Sequence, residues 1–348
     1  MDPLVLIFLT SGLFLGWALG ANDAANVFGT AVGTKMVKFR TAAIICSVFV
    51  ILGALISGAG ASHTLGKLGA ISALPGAFMT ALAAAAAVFS MTKSGLPVST
   101  SQAIVGAIIG WNFFSGNPTD SNTLTKILLT WVLCPVLAAI IAVILFKSLK
   151  LYSKLFPVHL IRADAYTRIG LIMAGAFGAY SLGANNIANV VGVFIPAKPF
   201  PDLVFGTWVF SSTQQLFLMG GLAIAIGVFT YSKGVMMTVG GNLGRLSATA
   251  AFIAVMSHSI VLFLFASRGL EAWLAGQGLP TIPLVPVSSS QAVVGAIVGI
   301  SILQGTSGIR WATLGKIVAG WVATPFAAGI ICFIGLFFLQ NVFGLVVK

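Results

Sequence analysis

The stretch GANDAANVFGT, residues Gly20–Thr30, places an aspartate and two asparagines between long apolar segments. A near copy, GANNIANVVGV, occupies Gly183–Val193 in the second half of the chain. Similar stretches continue in the same order in both halves, which indicates an internal duplication. The further pairs are PVSTSQAIVGAIIG (Pro97–Gly110) with PVSSSQAVVGAIVG (Pro286–Gly299), and KILLTWVLCPVLAAII (Lys126–Ile141) with KIVAGWVATPFAAGII (Lys316–Ile331).

The composition is that of a protein embedded in a lipid bilayer. Of 348 residues, 58% are hydrophobic and 7% are charged, whereas about a quarter of a soluble domain is charged. Apolar runs near the length of about 20 residues that one helical crossing needs recur along the chain. They do not alternate as strands of a membrane barrel do, so an all-α polytopic membrane protein with about 10–12 membrane helices is predicted.

The net charge of +12 is explained by basic residues in short loops, which orient membrane proteins, and no nucleic-acid partner is expected. The three cysteines are dispersed and suggest neither disulfides nor a metal site. The chain is divided into a first transmembrane repeat (1–147), a central cytoplasmic linker (148–168) and a second transmembrane repeat (169–348). The linker region is rich in basic residues, namely Lys147, Lys150, Lys154, Arg162 and Arg168.

Duplicated halves are typical of secondary transporters, whose substrates bind where the repeats meet. If each repeat holds an odd number of crossings, the two have inverted topology, with broken helices and re-entrant hairpins meeting near the membrane midplane. The spacing between the first two motifs is longer in the second half. We expect the extra residues around Phe200–Gly244.

The PVSTSQ motif carries the signals of a helix start. Pro97 disfavours helix before it, and Ser99 followed by Gln102 has the spacing of a capping box, so a helix is predicted from Thr100. Ser288 and Gln291 repeat the pattern. Each helix has only about 15 apolar residues, which favours a re-entrant hairpin whose buried tip could bind an anion. The alternative is that these serines cap ordinary full spans.

Asp23 is the one acidic residue of six that lies in a long apolar context. Such a charge costs roughly 2.5–3.5 kcal/mol to insert and normally has a partner. Neither asparagine motif nor either SxSQ motif contains Lys or Arg, so a bound cation such as Na⁺ is predicted, with Asn22 and Asn26 as oxygen ligands. Gly20 and Gly183 would let the helices break and expose carbonyl groups.

Two features of the asparagine motifs leave alternatives open. Asn186 replaces the acid in the second copy, so two cation sites would differ. Alternatively, Asn22 and Asn26 only bridge helices by hydrogen bonds. A divalent oxyanion beside Asp23 would bring the local charge to −3, which hydroxyls and amides cannot neutralise without accompanying cations.

These residues resemble the inorganic phosphate transporter (PiT) family over essentially the whole chain. The resemblance implies an inverted-repeat fold with re-entrant hairpins, phosphate uptake coupled to Na⁺ or H⁺, a homodimer, and a transport unit that moves against a scaffold. It implies cation and geometry roles for Asn22, Asp23, Asn26, Asn185, Asn186 and Asn189. It implies phosphate binding by Ser99, Thr100, Ser101, Gln102, Ser288, Ser289, Ser290 and Gln291.

The chain departs from this family in two ways. Many relatives have aspartate at the position of Asn186, which bears on the number of cations bound and on whether Na⁺ or H⁺ drives uptake. Animal relatives have a longer central loop, so a microbial cell-membrane transporter is expected. Some members carry sulfate. Na⁺ is favoured over H⁺ because proton relays usually need several buried acids or histidines. His63 and His258 could carry protons, although a structural role is the simpler interpretation of each.

Two other classes of function fit the sequence less well. A membrane-embedded enzyme would need clustered metal-binding acids, a nucleophile with its base, or a basic clamp on phosphate, and no catalytic residue or cofactor is predicted. A passive anion channel would need rings of Lys or Arg along its pore, and the motifs contain none.

Overall fold

A computed structural model of the chain describes residues 3–93, 98–242, 247–305 and 311–348. Over these residues it contains thirteen α-helices, one antiparallel hairpin and a 3₁₀ turn at Gly192–Phe194. In chain order the elements are α1 (Pro3–Gly33), α2 (Phe39–Ser57), α3 (Ala59–Leu68), α4 (Leu74–Lys93), α5 (Thr100–Ser115), α6 (Ser121–Leu155), α7 (Leu160–Val191), β1 (Leu203–Phe205), β2 (Trp208–Phe210), α8 (Ser212–Thr230), α9 (Ser232–Asn242), α10 (Ala248–Leu264), α11 (Arg268–Gly276), α12 (Ser289–Gln304) and α13 (Trp311–Asn341).

The helical membrane fold predicted from the composition is confirmed. Among the described helices, α1, α2, α4, α6, α8 and α13 are long and apolar enough to cross a membrane. A seventh span results if α10 and α11, bent by 64° at their junction, are counted as one broken span. By contrast, α5 and α12 have 16 residues each, which is short of the length of a full crossing.

The helices expected to break at Gly20 and Gly183 are continuous, so this part of the prediction is wrong. Both glycines lie inside unbroken helices, α1 and α7. A side-chain carbon at Gly20 would overlap the carbonyl oxygen of Ile224, and one at Gly183 would overlap that of Val50. These glycines therefore let α1 approach α8, and α7 approach α2, at backbone distance.

The two halves pack against each other reciprocally. In the first half α5 lies against α13 of the second, and α12 of the second half lies against α6 of the first. The contacts repeat residue by residue, because Gly106 of α5 abuts Pro325 while Gly295 of α12 abuts Pro135. Reciprocal contacts of this kind relate the halves by an approximate two-fold axis, as inverted repeats require.

The extra residues of the second half lie in two places. Residues 192–211, which include the hairpin, separate α7 from α8, whereas 34–38 separate α1 from α2. Residues 265–288, which include α11, separate α10 from α12, whereas 94–99 separate α4 from α5. Only the first insertion overlaps the predicted range Phe200–Gly244, because the sequence alone cannot show which helix of one half corresponds to which helix of the other.

The segment predicted as a linker, 148–168, is largely helical. Helix α6 extends to Leu155 and α7 begins at Leu160. The four basic residues of this segment and the preceding Lys147 are exposed, and Arg168 Nη2 lies 3.5 Å from Asp164 Oδ2. The boundaries of the two repeats and the cytoplasmic location of the segment stay predictions.

Candidate functional site

The fourteen residues predicted for the site all lie in the interior. None of them has more than 5% of its surface exposed, although every one carries a polar or charged side chain. Burying so many polar groups is unfavourable unless they bind each other or a ligand. They come from four segments, which are the middle of α1, the C-terminal end of α7 and the N-terminal ends of α5 and α12.

Asp23 lies in the middle of α1 with 2% of its surface exposed. Its Oδ1 accepts hydrogen bonds from Asn22 Nδ2 at 2.9 Å and from Asn26 Nδ2 at 3.4 Å. Among the described residues the one ion pair is Arg168–Asp164, so Asp23 has only neutral amide partners there. A buried carboxylate with no cationic side chain beside it leaves a net negative charge in the site.

Helix α7 repeats this arrangement without the charge. Asn186 Oδ1 accepts from Asn189 Nδ2 at 3.3 Å, in the same relation as Asp23 and Asn26. Asn185 binds the chain just before α12, donating to Val285 O at 3.0 Å and accepting from Val287 N at 2.8 Å. The two halves of the site thus share the hydrogen bond between residues three apart and differ in charge.

Both short helices begin where the motifs predict. Ser99 Oγ accepts from Gln102 N and Ser288 Oγ accepts from Gln291 N, each at 3.2 Å, so α5 starts at Thr100 and α12 starts at Ser289 as expected. The full capping box is not formed, because Gln102 Oε1 and Gln291 Oε1 have no partner among the described residues. Pro97 lies outside the described residues.

The two helix tips bind each other. Ser101 Oγ donates to Val287 O at 2.9 Å, and Ser290 Oγ donates to Val98 O at 3.0 Å. Asn22 Nδ2 also reaches Val98 O, at 3.3 Å. The main-chain carbonyls of Val98 and Val287 therefore hold the site together, a role that no side-chain pattern in the sequence could indicate.

Each long helix also binds the tip of the opposite half. Asn26 Nδ2 of α1 donates to Ser289 Oγ of α12 at 3.1 Å, and Asn189 Nδ2 of α7 donates to Ser101 Oγ of α5 at 2.9 Å. The interpretation that the asparagines bridge helices is thus correct in geometry. It does not compete with ligand binding, since the oxygen of each amide remains available to a cation.

Six buried polar atoms at the site lack a hydrogen-bond partner within the described parts of the chain. Four of them are oxygen atoms, which suit a cation, and two are nitrogen atoms, on Asn186 and His258. Unsatisfied buried polar atoms are uncommon in folded proteins, so a cluster of them marks a place for a ligand. They are Thr100 Oγ1, Gln102 Oε1, Gln291 Oε1, Asn186 Nδ2, Asn189 Oδ1 and His258 Nδ1.

His258 joins the site although it was not among the predicted residues. It lies on α10, fully buried, with Nε2 2.8 Å from Ser289 Oγ. Its position in the SHS stretch Ser257–Ser259 signals only a polar patch within an apolar helix. His63, by contrast, is exposed on α3.

The first N–H groups of a helix have no partner within the helix and attract anions. At the two tips these are the N–H groups of Thr100 and Ser101, and of Ser289 and Ser290. The described residues show no cluster of three or more His, Cys, Asp or Glu side chains that could hold a metal ion. The arrangement therefore offers donors to an oxyanion and amide, hydroxyl and carboxylate oxygens to an alkali cation.

A family model described as the phosphate transporter family matches residues 19–332. The chain belongs to this family. It is a family of membrane transporters, which confirms that the chain is not an enzyme and that its transport function concerns phosphate.

Similar proteins span nearly the whole chain. A protein of Methanocaldococcus jannaschii named "Putative phosphate permease" is 29% identical over 94% of this chain and 95% of its own length. The chloroplastic inorganic phosphate transporter 2-1 of Arabidopsis thaliana is 22% identical over 91% of this chain and 69% of its own length. A solved structure titled "The sodium-dependent phosphate transporter" has the same fold, with a TM-score of 0.77 and 22% identity over 97% of this chain and 98% of that one.

Proposed function

We propose that the chain imports inorganic phosphate together with Na⁺, at a site between its two halves near the membrane midplane. The observation that carries this proposal is Asp23, which is buried with only amide partners in the described structure. A second negative charge could join it only with compensating cations. Phosphate as the transported solute follows from the family, and Na⁺ is the coupling ion that the chemistry of the site favours.

The two helix tips would bind the phosphate. Their N–H groups, the hydroxyl groups of Thr100 and Ser289 and one glutamine each supply donors without a fixed positive charge. The hydroxyl protons of Ser101 and Ser290 already go to Val287 O and Val98 O. The side-chain oxygens of Gln102 and Gln291 do not cap their own helices, and the amide nitrogen of each can donate to an oxyanion. The proposed phosphate ligands are Ser99, Thr100, Ser101, Gln102, Ser288, Ser289, Ser290 and Gln291.

The asparagine motifs would bind the cations. Asp23 supplies the charge in the first half, and Asn189 Oδ1, which has no partner in the described chain, supplies an oxygen in the second. Because Asn186 is neutral, we expect the second cation site to be weaker than the first. The proposed Na⁺ ligands are Asn22, Asp23, Asn26, Asn185, Asn186 and Asn189.

Cotransport with cations also supplies the driving force. Each net positive charge moved inward gains about 2.3 kcal/mol per 100 mV of membrane potential. We propose alternating access through movement of one part of the protein against a scaffold, in a homodimer in a microbial cell membrane. The approximate two-fold relation of the halves supports alternating access, because exchanging the conformations of the two repeats would turn the site from one side to the other.

A proton-coupled permease is the second candidate, and a specific chain of contacts favours it. Asp23, Asn26, Ser289 and His258 are linked by successive distances of 3.4, 3.1 and 2.8 Å. This places two titratable groups at one site. Sulfate shares the tetrahedral oxyanion chemistry and is the alternative substrate.

Uptake of labelled phosphate into proteoliposomes tests the proposal. We expect accumulation under an inward Na⁺ gradient, little uptake when K⁺ replaces Na⁺, and weak competition by sulfate. Full uptake driven by a proton gradient without Na⁺ would show that Na⁺ is not the coupling ion. Complete competition by equimolar sulfate would overturn phosphate as the preferred substrate.

A further inference from the structure

The hydroxyl of Ser289 contacts the side chains of two other helices, α1 and α10. Its Oγ lies 3.1 Å from Asn26 Nδ2 and 2.8 Å from His258 Nε2. All three residues are buried, with 2%, 5% and 0% of their surface exposed for Ser289, Asn26 and His258. A serine hydroxyl has one proton to donate and two lone pairs that accept, so these two neighbours decide what it can offer to a ligand.

The amide of Asn26 uses one of the lone pairs, because an NH₂ group can only donate. One lone pair and one proton remain for His258 and for the ligand. If His258 Nε2 carries a proton, it takes the second lone pair, and the hydroxyl proton turns to the ligand. If Nε2 is bare, it takes the hydroxyl proton, and the ligand meets only a lone pair.

The surroundings of the other ring nitrogen favour the first case. His258 Nδ1 is buried and has no partner among the described residues. A proton on Nδ1 would be a buried donor without an acceptor, and buried orphan N–H groups are rarer than under-satisfied acceptors. The protonated nitrogen of a neutral histidine is set by the hydrogen bonds that each nitrogen makes. The proton therefore belongs on Nε2.

The described residues of the first half make no equivalent contact. Thr100 aligns with Ser289 in the repeated motif, and its Oγ1 has no partner within the described residues. The hydroxyl of Thr100 can thus rotate to accept or to donate. Asn26 and His258 instead fix which groups the Ser289 hydroxyl accepts from and donates to.

We infer that His258 is a positioning residue that makes the Ser289 hydroxyl a dedicated donor to the bound oxyanion. This inference rests on the proposed function and assigns one contact within that site. His258 acts through Ser289 and need not touch the solute. Phosphate affinity then depends on a donor at the position of Nε2, while the affinity for the coupling cation does not.

Phosphate uptake by variants of the full chain tests this inference. His258→Met removes the donor at similar volume, and His258→Gln keeps an N–H group. We expect the KM for phosphate to rise about tenfold in His258→Met, as for loss of one hydrogen bond to a charged group. His258→Gln should stay close to the wild type, and the half-saturating Na⁺ concentration should be unchanged in both. His63→Ala, on an exposed position, is the control for loss of a histidine.

A double variant separates positioning from a merely structural role. Ser289→Ala should raise the KM as His258→Met does, and adding His258→Met to Ser289→Ala should raise it no further. An unchanged KM in His258→Met, failure of His258→Gln to restore it, or effects that multiply in the double variant would each overturn the inference. The KM is measured with whichever cation drives the wild type, so a wrong coupling ion leaves this test intact. Absence of any phosphate uptake by the wild type would overturn the proposed function and this inference together.

Discussion

Asn26 Nδ2 donates a hydrogen bond to Ser289 Oγ over 3.1 Å, although the two residues are 263 positions apart in the chain. In the other half, Asn189 Nδ2 donates to Ser101 Oγ over 2.9 Å. Each long helix therefore binds the tip helix of the opposite half. Neither half alone holds both partners of these contacts.

Loss of either asparagine should impair phosphate transport, but the two losses should change the half-saturating Na⁺ concentration to different extents. In Asn26→Ala, both Asp23 and Ser289 lose a partner, so we expect the half-saturating Na⁺ concentration and the KM for phosphate to rise several-fold each. In Asn189→Ala, no carboxylate loses a partner, and the phosphate KM should change more than the Na⁺ dependence. Asn122→Ala, at an exposed position on α6, is the matched control. Equal shifts of Na⁺ dependence in the two site variants would contradict the assignment.

Replacing Asn186 by Asp should make the two halves electrostatically alike. The added buried charge needs a further cation, because the side-chain contact of Asn186 in the described structure is with the neutral amide of Asn189. We expect the dependence of phosphate uptake on Na⁺ concentration to become steeper in Asn186→Asp. The measurement is the Hill coefficient for Na⁺ in proteoliposomes. Wild-type uptake with unchanged steepness would show that the second asparagine motif does not bind the coupling ion.

Two glycines at the reciprocal helix contacts should tolerate no side chain. A methyl group at Gly106 would overlap the backbone of Pro325, and one at Gly295 would overlap that of Pro135. Gly106→Ala and Gly295→Ala should each lower the free energy of unfolding by about 1–3 kcal/mol through overpacking. Gly315→Ala is the control, since no atom lies near that position on α13 and alanine favours helix. Thermal unfolding in detergent measures the effect, and equal stability of all three variants would refute the close contact.

Asp120 caps α6 and should make stability depend on pH. The hydroxyl of Thr123 donates to its Oδ2 at 2.8 Å, and the N–H groups of Asn122 and Thr123 donate to its Oδ1. These bonds, led by that of the hydroxyl, lower the pKa of Asp120. A lowered pKa in the folded state stabilises at neutral pH, and this stabilisation is lost as pH falls through that value. Asp120→Ala should therefore lower the Tm at pH 7 and differ little from the wild type in acid, whereas a pH-independent difference would argue against the cap.

The parts of the fold that depend on local signals were predictable from the sequence. The starts of α5 at Thr100 and α12 at Ser289 follow from serine caps three residues before their glutamine partners. The membrane class follows from apolar runs, and the pairing of the halves follows from repeated motifs. Each of these features depends on residues that are neighbours in the sequence or on their repeated copies.

The parts that depend on tertiary packing were not predictable. The sequence predicts a break of α1 at Gly20, but a glycine is compatible both with a helix break and with close packing of a neighbouring helix. Here it allows close packing of α8. His258 lies far in sequence from Ser289 and meets it only because α10 packs against α12. The contributions of Val98 and Val287 come from main-chain groups, which carry no sequence signal.

Uptake of labelled Na⁺ that depends on phosphate tests most directly whether the oxyanion enters with cations held by Asp23. The comparison uses the wild type, Asp23→Asn, and Asp164→Asn as a control, since Asp164 forms an exposed ion pair with Arg168. We predict phosphate-stimulated Na⁺ uptake in the wild type and in Asp164→Asn, and a loss of about tenfold or more in Asp23→Asn. Asp23→Asn that carries Na⁺ and phosphate at the wild-type ratio and rate would contradict the account.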